Sequence, residues 1–451
     1  MCIRDSSFSA AYRISEEPFF EPLRKAVDNL KIRLSYGSLG NQQIGYYDFI
    51  QTITTKGSMS DYSFDGTVLG QHATVSDPVS GDQTWEKVVS KNLGLDLNMF
   101  NNRLSLTTDF YIRDTKGILG KGKSLPSIYG ASEPQMNANN LRTKGYELVL
   151  GWRDSFKLAG STFSYGITGT FSDYTAEYTK CDNPTGLIGD PYVGKKYGEI
   201  WGYKVDGLFR NDKEAAEYAS RIDLSTVASG YYTATGAYGK GVRGGDIKYL
   251  DLNGDNIVNG GKGTLDDPGD RRVIGNSSPR YQYGASLNFS WYGFDVSVFM
   301  QGIGRLDWYP GADNLRFWGP YCRPYATFVP KNFMSQVWSE ENPDAYFPRA
   351  RAYTSLNSNS GTAYYTNDRY LQNLAYCRLK NLTIGYTIPR RLTSKVGIKE
   401  CRIYFSGENL ATWSALKSDF LDPEQAAADS DKKANVYPWC KTYSIGLNLT
   451  F

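Results

Sequence analysis

Residues 281–301, with the sequence YQYGASLNFSWYGFDVSVFMQ, decide the fold of this 451-residue chain. Apolar residues occupy every second position from 281 to 289 and again from 294 to 300, and polar or small residues fill most positions between them. A period of two is typical of β-strands whose two faces meet different surroundings. Only Trp291, Tyr292 and Gly293 separate the two runs. The stretch therefore predicts two antiparallel strands joined by a tight turn.

The same alternation recurs along the rest of the chain. A second hairpin joins residues 93–97 to residues 104–112 through Asn101 and Asn102, and a third joins residues 146–152 to residues 163–171. Further runs with a period of two lie near 7–14, 30–36, 374–388, 401–408 and 441–451. Together these runs predict an all-β chain of about eleven antiparallel strands.

The lengths of the connections favour a membrane barrel. Short turns at 101–102 and 291–293 contrast with long segments at 40–85, 114–143, 175–280 and 302–373. When successive strands alternate in direction, every long segment falls on one side and every short turn on the other. Outer-membrane barrels have this asymmetry, with short periplasmic turns and long extracellular loops. The prediction is a transmembrane antiparallel β-barrel. The connection 15–29, with Phe19, Phe20, Leu23 and Val27 at helical spacing, predicts a short periplasmic helix.

The strand count predicts that the chain is part of a larger barrel. Single-chain bacterial barrels have an even number of strands, whereas about eleven are predicted and the first runs towards the periplasm. No secretory signal is visible at the start, because MCIRDS has one basic residue and no apolar core. We therefore expect residues 7–451 to be the C-terminal part of a barrel domain, and residues 1–6 to be a non-native start.

Composition excludes several classes of protein. The 50 Lys and Arg nearly balance the 47 Asp and Glu, which argues against a nucleic-acid-binding face. No apolar run is long enough for a transmembrane helix. A single histidine, His72, without a nucleophile motif gives no support for catalysis, and we predict that the chain is not an enzyme. The six cysteines lack zinc-type spacing and predict free thiols.

Ten short strings, in order, carry a family resemblance. They are YGSLGNQ at 36–42, KNLGLDL at 91–97, NNRL at 101–104, YIRDTKG at 111–117, TKGYEL at 143–148, GDIKYLDLNGD at 245–255, DRRVIGN at 270–276, GFDVSVFMQG at 293–302, RLKNLTIGYTIP at 378–389 and SGENL at 406–410. With this order and spacing, the chain after about residue 7 resembles the C-terminal barrel of SusC/RagA-family TonB-dependent transporters of Bacteroidetes.

The resemblance implies a function and partners. It implies a barrel of 22 strands, of which eleven would be half, with a plug domain and a TonB box that this sequence does not contain. It implies location in the Gram-negative outer membrane, insertion by the barrel assembly machinery, and a SusD-like surface lipoprotein as lid. The implied activity is import of oligosaccharides or peptides, driven through the plug by the TonB complex. A terminal aromatic that closes an alternating strand, here with Tyr443 and Phe451, resembles the assembly signal of such barrels.

Residues 251–257 resemble the first half of a calcium-binding loop. Asp251, Asn253 and Asp255 place oxygens at alternate positions, and the carbonyl of Ile257 would follow at the seventh. The match then fails, because position six is Asn256 rather than Gly and position twelve is Lys262 rather than Glu. Asp266 or Asp267 would have to complete the shell. The alternative is an Asx-rich turn that binds no metal. Apart from calcium at this loop, no cofactor is predicted for the chain.

Aromatic and polar side chains supply the other candidate sites. A predicted external loop carries rings for contact with a ligand or the lid, or for packing within the loop; they are Trp308, Tyr309, Trp318, Tyr321 and Tyr325. Residues near strand ends predict interfacial girdles; they are Trp152, Trp291, Tyr292 and Trp439. By alternation, six polar residues are predicted to line the lumen; they are Asp96, Asn98, Asp109, Ser286, Asn288 and Asp295.

Three other classes of protein remain open from sequence alone. A soluble β-sandwich that binds carbohydrate also has alternating strands. A β-rich glycoside hydrolase needs only two carboxylates about 5–10 Å apart, which sequence does not identify. A smaller, self-contained porin would need an even number of strands.

Overall fold

The computed structural model describes residues 5–41, 50–56, 72–81, 83–121, 126–233, 241–322, 329, 331–351, 356, 363–418, 421–426, 428 and 437–451. One large antiparallel sheet, here called the wall, contains eleven strands, which confirms the predicted count. In spatial order they are β1 (Ser6–Arg13), β2 (Val27–Asn41), β5 (Glu86–Met99), β6 (Leu104–Lys121), β7 (Gln135–Leu158), β8 (Ser161–Lys180), β13 (Arg280–Trp291), β14 (Phe294–Arg305), β17 (Tyr376–Thr387), β18 (Glu400–Ser414) and β19 (Thr442–Thr450).

Smaller elements lie in the connections. Four two-stranded sheets pair β3 (Ile53–Lys56) with β4 (His72–Val75), β9 (Glu199–Tyr203) with β12 (Arg271–Asn276), β10 (Val205–Leu208) with β11 (Ile247–Tyr249), and β15 (Asp307–Trp308) with β16 (Gln372–Asn373). The α-helices are α1 (Asp212–Ala219), α2 (Ser229–Thr233), α3 (Leu315–Trp318), α4 (Arg390–Thr393) and α5 (Pro423–Ala426). No helix in the described part of the chain is long and apolar enough to cross a membrane.

The two ends of the wall differ, as the connection lengths predict. At one end, called the turn end, β7 and β8 join through Ala159 and Gly160, and β13 and β14 join through Tyr292 and Gly293. All four residues have positive φ, as two-residue type I′ turns require. At the other end, called the loop end, lie the connections 42–85, 122–134, 181–279, 306–375 and 415–441, four of which have at least 27 residues, whereas no connection at the turn end is longer than 13 residues.

The two faces of the wall differ in polarity. Strand registers and alternation place large apolar side chains on one face of the wall, called the apolar face. Each of the eleven strands has at least one exposed apolar side chain on this face. These side chains include Phe8, Leu34, Leu93, Phe110, Tyr146, Ile167, Phe289, Phe294, Ile384, Ile403 and Leu447. The opposite, polar face carries side chains such as Arg33, Asp96, Asp109, Thr170, Ser286, Ser297 and Thr383. A single sheet with one exposed apolar face does not fit a soluble sandwich, which buries its apolar faces between two sheets.

The hydrophobic core lies outside the wall. The connections 181–279 and 306–375 pack together at the loop end into what is called the loop layer. Its core consists of side chains from both connections, and the most deeply buried include Phe209, Tyr231, Ile247, Tyr249, Trp318 and Tyr370. Helix α1 starts within this layer because Asn211 caps it, with its side-chain oxygen accepting from the backbone N–H of Glu214 at 2.9 Å.

Three sequence-based expectations need correction. The connection 15–29 is not one helix but two 3-10 segments, Ile14–Glu16 and Pro18–Leu23, because Pro18 favours an extended backbone at the preceding residue, Glu17, where the helix breaks. Val27 begins β2 instead of continuing the helical face. The connection predicted at 114–143 is shorter, since β6 extends to Lys121 and β7 begins at Gln135.

Candidate functional site

The polar face is organised by ion pairs that cross between strands. Arg33 on β2 donates to Asp96 on β5 at 2.9 Å and to Asp109 on β6 at 2.9 Å. Asn92 donates to the same Asp109 carboxylate at 2.7 Å. The guanidinium thus ties three adjacent strands, and two of the predicted lumen residues, Asp96 and Asp109, lie within one network.

A second network on the same polar face, among the later strands of the wall, is built in the same way. Arg402 on β18 makes an ion pair of 2.5 Å with Asp295 on β14, across the intervening strand β17. The residue between them is Gly385, and a Cβ atom placed there would lie 2.5 Å from the Arg402 guanidinium and 2.6 Å from the Asp295 carboxylate. Gly94 stands between Arg33 and Asp109 in the same way, at 2.6 Å from each. In both places a glycine leaves the space through which the charges meet.

A buried charge cluster fixes a segment of the last long connection against the polar face. Arg378 on β17 is only 1% exposed and contacts Asp422 at 2.7 Å and Glu424 at 2.8 Å. Lys380 contacts Glu424 at 2.7 Å. A register shift between Leu379 and Asn381 accompanies this arrangement. Residues 421–426, which include α5, form what is called the strap, and its Ala426 packs against Leu306, Trp308 and Leu374.

The loop layer also contains a buried ion pair between its two connections. Asp246 is fully buried and Arg351 is 3% exposed, and their side chains meet at 2.8 Å. Burial raises the pKa of Asp246 to about 7, although Arg351 acts in the opposite direction. The Arg351 guanidinium also lies over the ring of Tyr231, at 4.2 Å from its centroid.

The predicted aromatic contact residues are core residues of the loop end. Trp308, Tyr309, Trp318 and Tyr321 are at most 8% exposed, and three of them belong to the loop-layer core. Burial favours the alternative of packing within the loop, and contact of these rings with a ligand or a lid stays a prediction. Phe347 and Tyr370 contact the ring of Trp318, and Phe347 also contacts the ring of Tyr321, at 5.0–6.3 Å between centroids. Tyr325 lies outside the described residues.

The acidic loop 251–257 is arranged as a series of Asx turns. Asp251 accepts from the backbone N–H groups of Gly254 at 2.7 Å and Asn256 at 2.9 Å, and Asp255 accepts from Ile257 at 2.8 Å. Asp266 is exposed on the following turn. Within the described ranges, no group of three or more His, Cys, Asp or Glu side chains has an arrangement suited to a metal ion. Calcium binding by Asp251, Asn253, Asp255, Ile257 and Asp266 stays a prediction.

The remaining predicted positions lie where alternation places them. Trp152 donates to the Tyr165 hydroxyl at 3.1 Å near the turn end, and the rings of Trp291 and Tyr292 meet edge to face, with centroids 5.0 Å apart, beside the β13–β14 turn. Trp439 is half exposed at the loop end. Tyr443 and Phe451 are exposed on and after β19, and their role in assembly stays a prediction.

Sequence reasoning missed the residues that organise the polar face. Arg33, Arg402, Arg378 and the strap residue Glu424 were not singled out, because a charged residue in an alternating strand does not disclose its partner. The sequence did contain one signal of these ion pairs, which is the presence of glycines at polar-face positions such as Gly94 and Gly385. A glycine in a strand interior often marks a place where a neighbouring group approaches closely.

Comparison with known proteins agrees with this architecture. No protein-family model matches the chain. It is 27% identical to the TonB-dependent receptor P26 of Formosa agariphila, over 99% of this chain and 42% of that protein. It is 22% identical to the TonB-dependent receptor SusC of Bacteroides thetaiotaomicron, over 99% of this chain and 40% of SusC. The solved RagAB peptide transporter superimposes with a TM-score of 0.70, at 21% identity, over 99% of this chain and 43% of that one.

These similarities define the class first: over almost its whole length the chain is similar to TonB-dependent receptors. Within that class, the similarity to SusC agrees with the SusC/RagA family that the ten sequence strings indicate. The chain spans about two fifths of the length of the curated relatives that it matches.

Proposed function

We propose that this chain forms part of the barrel and of the extracellular layer of a TonB-dependent importer in the Gram-negative outer membrane. The observation that carries the proposal is the wall itself, with eleven strands, an exposed apolar face and every connection of more than 13 residues at one end. The apolar face meets lipid, and the polar face lines the path of the ligand. The loop end is extracellular and the turn end is periplasmic.

The ligand is an oligosaccharide or a peptide that a SusD-like lipoprotein delivers to the loop layer. The similarity to SusC and to the RagAB peptide transporter supports such a partner and such a class of ligand. Energy from the TonB complex acts through a plug domain, and the described residues supply no chemistry of their own. The rigid ion pairs of the polar face hold the wall in shape while the ligand passes.

Uptake by cells that carry or lack the gene of the full receptor tests this proposal. Fluorescently labelled peptides and fluorescently labelled oligosaccharides are supplied in parallel to wild-type cells, deletion cells and complemented cells. We expect one of the two probes to enter only when the receptor is present, and entry to stop when a protonophore collapses the proton gradient. Equal entry of both probes into deletion cells and wild-type cells would exclude an import role for these ligands.

A further inference from the structure

A groove on the apolar face lies directly below a group of exposed cations. The groove has a volume of about 650 Å³, and its apolar lining includes Leu34, Leu93, Phe110, Ile112 and Tyr146. These residues come from β2, β5, β6 and β7 and share the apolar face by register. An exposed apolar groove of this kind marks a surface that another molecule covers.

Two of the cations, Lys91 and Lys144, line the groove on its loop-end side, where both pair in register with Ile112. Lys91 precedes Leu93 by two residues, and Lys144 precedes Tyr146 by two. Because alternate residues of a strand point to one face, these lysines project above the groove. Lys87 and Lys116, which pair with each other in the β5–β6 register, continue the cluster. All four lysines are exposed.

The charge of this cluster is only partly balanced within the described residues, by Asp114, which interacts electrostatically with Lys91 and Lys116. None of the four lysines has an ion pair or a side-chain hydrogen bond there, whereas the neighbouring Arg142 is held by Asp114 at 2.6 Å. Asp173 at the edge of the groove is likewise already bound to Arg280, at 2.6 Å. The free cations therefore outnumber the free carboxylates, and the surface is complementary to a group with several negative charges.

An aromatic row runs through the groove, on the turn-end side of the cations. Phe110, Tyr146, Phe171 and Tyr281 follow each other across four strands, with ring centroids 5.9–6.4 Å apart. A second row near the turn end contains Phe156, Phe163 and Phe289. Ten residues of β7 between Tyr146 and Phe156 span about 25 Å of membrane at the usual strand rise and tilt, which equals the apolar band of an outer-membrane barrel. The first row, and with it the groove that Phe110 and Tyr146 line, therefore lies where headgroups meet acyl chains in the outer leaflet.

We infer that this surface binds a phosphorylated glycolipid of the outer leaflet, with its acyl chains in the groove and its phosphates on Lys91 and Lys144. The inference rests on the proposed location of the chain in the outer membrane, and it goes beyond it by assigning a lipid site. A glycolipid fits better than a phospholipid because four lysines spread over three strands match a headgroup with more than one phosphate. An ammonium group acts as a point charge on phosphate and needs no fixed geometry.

Titration of the detergent-purified full receptor with bisphosphorylated lipid A, followed by native mass spectrometry, tests the site. Each lysine near a membrane surface contributes about a fivefold change in affinity. The double variant Lys91→Gln/Lys144→Gln is therefore expected to bind lipid A roughly 25-fold more weakly. The matched control Lys157→Gln/Lys395→Gln removes two exposed lysines at the turn end and is expected to bind as the wild type does.

Four outcomes would overturn different parts of the inference. Unchanged lipid A affinity in a double variant that still migrates as a folded barrel would overturn the site, and so would an equal loss of affinity in the control. An equally large effect on binding of phosphatidylglycerol would overturn the assignment to a glycolipid. Failure of the wild-type receptor to fractionate with the outer membrane would instead refute the proposed location, and this measurement does not depend on the lysines.

Discussion

At the scale of single residues, two arginines on the polar face reach their carboxylate partners across a glycine. The distances from a Cβ atom at Gly94 or Gly385 to the charged groups are all below 3 Å, so neither position accepts a side chain without displacing the pair. The ion pairs of the polar face thus depend on the absence of a side chain at these two glycines as well as on the charges of their partners. Alternation placed Asp96, Asp109 and Asp295 on this face, but the partner arginines could not be predicted because pairing between strands depends on register.

Substitution of Gly385 by Val is expected to separate Arg402 from Asp295. The added atoms overpack the space between the charges, and we expect the free energy of unfolding to fall by about 1–3 kcal/mol. The measurement is the temperature at which the receptor loses its folded mobility in electrophoresis. Gly37→Val is the control, because a Cβ atom at Gly37 has no neighbour within 4 Å. Equal unfolding temperatures for the two variants would contradict this role of Gly385.

Asp246 gives the loop layer a dependence on pH. Its pKa of about 7 in the folded layer exceeds the ordinary value of 3.8, so the folded layer binds this proton more tightly than the unfolded chain does. The stability of the layer therefore falls as the pH rises from about 4 to about 7, by roughly 1 kcal/mol per pH unit, and is constant above that range. We expect protease to cut residues 181–279 more slowly at pH 5 than at pH 8.

Asp246→Asn tests this pH dependence directly. The variant lacks the titrating group, so the difference in cleavage rate between pH 5 and pH 8 is expected to disappear. Asp206→Asn, at an exposed position of the same layer, should retain the difference. A wild-type layer that is more resistant at pH 8 than at pH 5 would show that the sign is wrong.

At the scale of elements, the strands of the wall followed from sequence, whereas the elements of the connections did not. The wall strands are long and have a strict period of two, which local sequence discloses. The short elements of the connections form because of contacts made across the loop layer. Examples are strand β11, with three residues, and helix α3, with four. For the aromatic residues of 308–321 the sequence left ligand contact and packing open for this reason, since loop residues that pack into a core look like loop residues that bind a ligand.

The strap is held by charge, so neutralising one carboxylate is expected to release it. Glu424→Gln removes the partner of Lys380 and one of the two partners of Arg378, which leaves buried positive charge with less compensation. We expect protease to cleave within 415–441 at least several times faster in this variant. Glu408→Gln, on exposed β18 sequence, is the control. Cleavage at the wild-type rate would mean that apolar packing of Ala426 alone retains the strap.

The acidic loop yields a separate prediction about metal. If Asp251, Asn253 and Asp255 bind calcium, millimolar Ca²⁺ should protect residues 245–270 from protease, and Asp251→Asn should abolish the protection. Mg²⁺ is the control ion, because it demands a smaller and more regular oxygen shell. Protection by neither ion would leave the Asx turns as the complete description of this loop.

At the scale of the whole molecule, the two faces of the wall meet two different environments, and in the proposed barrel its two ends lie in two different compartments. The apolar face with exposed residues on all eleven strands requires lipid, since a soluble protein rarely exposes a continuous apolar surface of this extent. The number of strands, the polarity of the faces and the asymmetry of the ends were all predictable from alternation and connection length. The loop layer was not, because its core joins residues of two connections that are separated by two wall strands.

The orientation of the wall in intact cells tests the central claim most directly. An epitope is inserted between Gly130 and Ala131 at the loop end, or between Asn102 and Arg103 at the turn end, in the full receptor. Both positions are exposed. We predict that antibody binds the first epitope on intact cells, and binds the second only after the outer membrane has been permeabilised. Binding of antibody to the second epitope on intact cells would contradict an outer-membrane barrel with an extracellular loop layer.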